Sequence, residues 1–215
     1  MSTIIKYTND NGNYITDQQA SILKFYNKEF FINGNELKLI EKYGPQGRAN
    51  NNTILKGGEY YLSSQEDLQT IINQYSSTAP YWTFCYNKQT NSFGDVYWEY
   101  LFYENGELNT KGIQVINNEK LLIASCIIDM ETNKFKGRRK YFYGDLNFYK
   151  RTEYESHFLS VSYDENDDVS DIYIYDDDYQ SVDEFLSSTN SSHFDWLGNT
   201  YFHSFEPILP TTIIA

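Results

Sequence analysis

The side chains in this sequence best placed to do chemistry are carboxylates, and they are crowded together. From Tyr163 to Glu184, ten of twenty-two residues are Asp or Glu and four are Tyr, with no Lys or Arg between them. Such a cluster can hold a cation, move protons or attract a positively charged macromolecule. The calcium option is poor. Asp164, Asn166 and Asp168 fall at the first, third and fifth places of a calcium loop, but Val169 stands where the turn glycine belongs and Tyr175 where the bidentate glutamate belongs. Asp176 to Asp178 offer at most weak divalent-ion binding, and no metal ligand set is assigned.

Catalytic patterns fare no better. His157, His193 and His203 have no second histidine at ligand spacing, and Cys85 and Cys126 stand alone in apolar runs, so no zinc pattern forms. Glu36-Leu37-Lys38 imitates the Glu-x-Lys of metal-dependent nucleases. The acid that should precede it is missing at a convincing place, with Asp17 a helix earlier, and charge alternation on a hairpin explains the tripeptide. No phosphate-cradling glycine loop, serine elbow or dinucleotide fingerprint occurs. The expectation is a non-enzymatic protein without a cofactor.

Binding is the stronger option. Asp171-Ile172-Tyr173-Ile174-Tyr175-Asp176 alternates with period two, so a strand here puts Ile172 and Ile174 on one face and Asp171, Tyr173 and Tyr175 on the other. Tyrosines supply rigid contact area, and a negative rim steers a positive partner. The expected partner-binding set is Asp164, Glu165, Asp167, Asp168, Asp171, Tyr173, Tyr175, Asp176, Asp177, Asp178 and Tyr179. Against it stands the plainer role of an acidic strand edge that is simply solvated and blocks edge pairing. The one basic cluster, Lys136 to Lys140 with Arg138 and Arg139, is a possible internal counter-ion for these acids.

Charge is distributed accordingly. Thr152 to Ala215 contain fourteen acids and no Lys or Arg, whereas residues 1–80 have seven bases against eight acids and residues 81–151 ten against eight. This acidity argues against nucleic acid as a direct ligand, because phosphate binding needs a basic surface. The opening MSTIIKYTND has no basic segment followed by an apolar one, and no apolar run reaches the ~18 residues of a spanning helix. Together with two cysteines that read as buried free thiols, this gives a cytoplasmic expectation without membrane contact.

With 215 residues and 21 Tyr, the chain suits one α+β domain dominated by antiparallel sheet. Thr16 with Gln19 forms a capping box for a short helix with Ala20, Ile22, Leu23 and Tyr26 on its apolar face. Ser63 or Ser64 caps a second helix carrying Leu68, Ile71, Ile72 and Tyr75, and Ser181 with Glu184 caps a third. Ser76 to Pro80 is the best place for a seam between an N-terminal α+β half and a C-terminal β-rich half. From Tyr81 strand patterns follow one another as a meander: 81–86, 96–103, 107–116, 120–129, 136–143, 148–154 and 158–163.

Phe102-Tyr103-Glu104-Asn105-Gly106-Glu107-Leu108-Asn109-Thr110-Lys111-Gly112 resembles one unit of the MORN-like hairpin repeats of certain bacterial antitoxin proteins, with weaker echoes at Phe30 to Leu37 and Tyr143 to Leu146. No fixed period links the three, which argues against a solenoid. The acidic, Tyr- and Asn-rich chain is also similar to the immunity proteins that bacteria pair with polymorphic toxins. These resemblances imply a non-enzymatic cytoplasmic protein that plugs the active site of a basic cognate toxin; they carry over no functional residue. Two alternatives remain: a carbohydrate- or other ligand-binding β module stacking sugars on Trp82, Trp98 and Trp196, and an enzyme with an unrecognised site.

Overall fold

The structure is a computed structural model that describes residues 3–47, 50–144, 159–174 and 177–211. The expected strand at 148–154, and the site residues Tyr175 and Asp176, lie outside the described residues. Among the described residues there are thirteen strands: β1 Ile4–Asn9, β2 Tyr14–Ile15, β3 Tyr26–Ile32, β4 Glu36–Gly47, β5 Asn50–Tyr61, β6 Tyr81–Thr90, β7 Val96–Glu104, β8 Glu107–Ile116, β9 Leu122–Ile128, β10 Phe135–Phe142, β11 Leu159–Tyr163, β12 Val169–Ile174 and β13 Asp177–Tyr179. Three helices, α1 Asp17–Ala20, α2 Leu68–Tyr75 and α3 Val182–Ser187, complete an α+β fold that is mainly antiparallel sheet. Hydrogen-bonded strand order is β13-β12-β11-β10-β9-β8-β7-β6-β5-β4-β3-β1-β2. From β3 to β13 the order follows the chain, and β1 then lies between β3 and β2. Asn105 and Gly106 both take positive φ, 53° and 84°, which is what a two-residue turn needs to match the twist of β7 and β8.

Two compact units share this chain, Met1–Lys88 with Glu99–Lys111 and Gln89–Trp98 with Gly112–Ala215. In the first, α2 crosses from β5 to β6, which pair in parallel with Gly58 opposite Trp82 and Tyr60 opposite Phe84. Leu39, Tyr60, Ile72, Trp82 and Phe84 form its core. Ser76 to Pro80 therefore ends the crossover helix inside this unit. In the second unit the sheet face bearing Leu159, Val161, Ile172 and Ile174, all fully buried, is covered by α3 and the segment from Phe194 to Ile208.

Helix starts illustrate how tertiary partners choose among local options. Thr16 and Gln19 make the expected capping box, but α1 stops at Ala20, leaving Ile22 82% exposed while Tyr26 pairs with Asn9 and Tyr43 in the sheet. Ser63 does not cap α2. Glu66 accepts from the Ser63 N–H, takes the Tyr60 hydroxyl at 2.7 Å and pairs with Lys38, so it is unavailable as a helix residue, and Asp67 caps instead through the Thr70 N–H. Ser181 caps α3 as expected, with Glu184 returning a bond to the Gln180 N–H. The strand expected from Lys120 begins at Leu122, because Asn117 accepts from the Glu119 and Leu121 N–H groups and holds 117–120 as a turn with Lys120 at φ 68°.

Gly58 marks a close backbone approach. A Cβ there would lie 2.1 Å from the Ile40 carbonyl oxygen and 2.7 Å from the Trp82 ring. Gly58→Ala is expected to lower stability by about 3 kcal/mol through overpacking, measured by urea unfolding; an unchanged midpoint would show that β4 and β6 can separate at no cost.

Candidate functional site

Register decides which acidic side chains face the same way. Val161 is opposite Ile172, and Ile172 opposite Tyr179, on the covered face of the second unit. On the other face Arg139, Ser162 and Asp171 form one cross-strand row, and Tyr141, Ser160, Tyr173 and Asp178 form the next. The expectation that Ile172 and Ile174 point inward while Asp171 and Tyr173 share the opposite face is met.

The expected binding set divides into groups with different work. Asp164 opens the β11–β12 turn and spends its carboxylate locally, accepting from the Asn166 N–H at 2.8 Å and the Asp168 N–H at 3.0 Å. These bonds offset the backbone strain of a turn in which Asp167 has φ 70°. Asp167 pairs with Arg138, whose guanidinium also donates to the Asp164 carbonyl at 2.9 Å. Asp177 accepts from Asn190 at 2.9 Å. Tyr179 lies on the covered face, half-buried, with its ring 5.6 Å from Phe185 and its hydroxyl held by Asn190. Tyr179, expected in the partner-binding set, packs against the covered face: the register that pairs it with Ile172 turns it inward. Glu165, Asp168, Asp171, Tyr173 and Asp178 remain partly or fully open, and among the described residues none of these four acids forms an ion pair with Lys or Arg. Burial and the charge of Asp178 push the Asp171 pKa up, against Arg139 and the Gln180 amide, which lower it.

The basic cluster is taken apart by the same alternation. Lys136 pairs with Asp129, and Gly137, at φ 58°, sits where the β9–β10 register shifts. Arg138 and Lys140 turn to the covered face, whereas Arg139 is exposed and donates from Nε to Ser162 Oγ at 3.3 Å. Internal pairing of the cluster with the acidic stretch is therefore present at Arg138–Asp167. Lys140 is fully buried, and its ammonium donates to the carbonyls of Tyr201, Ser204 and Pro207 at 2.6, 2.9 and 3.1 Å, with Nζ 3.6 Å from the Tyr201 ring centroid. Sequence reasoning missed this role. The only signal was an isolated residue of a basic run falling in phase with Phe142 and Arg138 on the inward side of a strand.

Two clefts open in the second unit: one of about 360 Å³, bordered by Phe93, Asp95, Asn117 and Tyr143, and one of about 750 Å³, bordered by Lys134, Phe135, Arg138, Tyr163 and Glu165. Asp95 in the first is held by the Asn91 amide at 2.8 Å. Both cysteines are buried free thiols, and burial pushes the Cys126 thiol up to about 12, which keeps it protonated and unreactive. Trp82, Trp98 and Trp196 are all buried, so none offers the exposed face that sugar stacking needs. No helix among the described residues is long and apolar enough to cross a membrane.

Comparison of the chain with protein-family models, with curated proteins and with solved structures finds no match.

Removing Lys140 strands three carbonyls. Lys140→Met is expected to cost about 3 kcal/mol in urea unfolding, and a variant as stable as the parent would show that the three carbonyls find other donors. Burial lowers the Lys140 pKa from 10.5 to about 7, opposed by Glu206 and Asp167. Between those two values the unfolded chain binds a proton that the folded chain does not, so this residue makes stability rise as pH increases above about 7. Wild type should therefore gain on Lys140→Met as urea unfolding is moved from neutral to mildly alkaline pH; parallel pH profiles for the two proteins would refute the linkage.

Proposed function

We propose that the protein is a non-enzymatic binding protein that captures a basic protein partner through the acidic turn and outer strand face of its second unit. The observation that carries this reading is the group of exposed Glu165, Asp168 and Asp178 with half-buried Asp171, none in an ion pair with Lys or Arg among the described residues. Unlike charges attract across several ångströms in water, so surface carboxylates raise the encounter rate of a cationic partner and select against anionic ones. The MORN-like hairpin at Phe102 to Gly112 and the immunity-protein texture of the composition give this partner a class: a toxin domain with a basic active site that normally receives phosphate. Carboxylates placed in that site substitute for the substrate's charge and occlude it.

The reading is tested by immobilising the tagged protein, passing lysate of its own organism over it, and washing at low and then high salt. One basic protein held at low salt and released at high salt by wild type, but absent from a column bearing Glu165→Gln, Asp168→Asn, Asp171→Asn and Asp178→Asn together, is the expected outcome. Equal retention on both columns would remove these acids from the interface. An empty wild-type column at low salt would count against the function itself.

A further inference from the structure

The smaller cleft of the second unit is bordered by one group that the surrounding fold does not require. Asp95 ends the turn between β6 and β7 and is only 8% exposed, yet it borders the cleft of about 360 Å³ together with Phe93, Leu121 and Ile123. Its Oδ2 accepts from the Asn91 amide at 2.8 Å; among the described residues its Oδ1 accepts no hydrogen bond, and neither oxygen pairs with a Lys or Arg. Asn91 has nothing more to give. Its amide also donates to the Pro210 carbonyl at 2.9 Å, and its carbonyl oxygen accepts from the Phe93 and Asp95 N–H groups at 3.0 and 2.9 Å. The turn between β8 and β9, on the border of the same cleft, is closed in the same way, with Asn117 accepting from the Glu119 and Leu121 N–H groups. There the place of Asp95 is taken by Leu121, so the turn itself does not need a carboxylate.

We infer that this cleft is a binding site for a small primary amine with a compact apolar body, whose ammonium group donates to Asp95 Oδ1. A carboxylate taken out of water is costly unless donors or an opposite charge replace its hydration, and here one neutral amide supplies only part of that replacement. The charged side chains on the border, Asp95 and Glu119, are both acidic, and no Lys or Arg borders the cleft among the described residues, so an anion is repelled. A hard metal ion takes six or more oxygen ligands, whereas no group of three or more His, Cys, Asp or Glu stands ready for one among the described residues. An ammonium needs a single strong acceptor. Buried Leu121 and Ile123, with half-buried Phe93, give the apolar wall that a hydrocarbon body prefers, and the volume lies at the lower end of the roughly 300–1,000 Å³ of small-molecule sites. The site shares no residue with the four acids proposed for partner capture and does not depend on that function.

The experiment is calorimetric titration of the full chain with phenethylamine and with phenethyl alcohol at neutral pH, where the amine carries its proton. Wild type is expected to bind the amine roughly tenfold tighter than the alcohol, because a charge-assisted hydrogen bond to a buried acceptor is the stronger one. Asp95→Asn keeps the shape of the side chain and an oxygen for the Asn91 amide, and it should bind the two compounds equally. Glu131→Gln removes an exposed charge away from the cleft and should keep the preference. Where Asp95→Asn does not fold, amide NMR of wild type supplies the location: phenethylamine should move the resonances of residues 91–95 and 117–123. Equal binding of amine and alcohol by wild type, or binding of neither, overturns the inference. A preference that survives in Asp95→Asn, or amide shifts confined to other residues, overturns the assignment to this cleft.

Discussion

One buried ammonium organises the second unit. Lys140 carries three N–H donors and meets three carbonyl oxygens of the C-terminal segment, those of Tyr201, Ser204 and Pro207. A charge taken out of water is tolerable only when its hydration is replaced, and here the replacement comes from one stretch of backbone and the face of Tyr201. The segment is further tied down by the Tyr163 hydroxyl donating to the Phe202 carbonyl at 3.0 Å and the Tyr201 hydroxyl donating to the Ile208 carbonyl at 2.6 Å. These bonds hold Phe194, Phe202, Phe205 and Ile208 over Leu159, Val161, Ile172 and Ile174. Which face of β12 is core depends on that cover.

Charge is sorted by the same geometry. Alternation along β10 sends Arg138 and Lys140 under the cover and Arg139 out. The turn between β11 and β12 then uses Asp164 for its own backbone and Asp167 for Arg138. Among the described residues, Asp171, Asp178, Glu165 and Asp168 form no ion pair with Lys or Arg. Arg138 and Lys140 are drawn into structural work on the covered face, while Arg139 stays on the outer face in one row with Ser162 and Asp171. The solvated-edge role and the binding role are compatible, since a charged three-residue edge strand resists pairing while its side chains remain available.

Much of the fold was legible in the sequence because it is local. Period-two alternation located β7, β8, β10, β11 and β12, the Asn105-Gly106 pair located a hairpin turn, and Thr16 and Ser181 located helix starts. Errors arose where a distant partner outbid a local one. Glu66 was drawn to Lys38 and Tyr60, which moved the cap of α2 from the serines to Asp67. The acidic stretch was legible in composition and in the Ile172/Tyr173 alternation, whereas the face of Tyr179 follows from its pairing with Ile172.

The sequence by itself determined that the chain is a mainly antiparallel α+β protein with its acids massed after Thr152, since alternation, turn chemistry and charge counts depend only on near neighbours. Tertiary structure decided which of those acids are bonded among the described residues. Whether Asp167 is neutralised, whether Asp177 is bonded and whether Lys140 is buried depend on Arg138, Asn190 and the carbonyls of residues 201–207. Those partners lie 13 to 67 residues away along the chain, and only the register of the strands and the path of the C-terminal cover bring them within bonding distance.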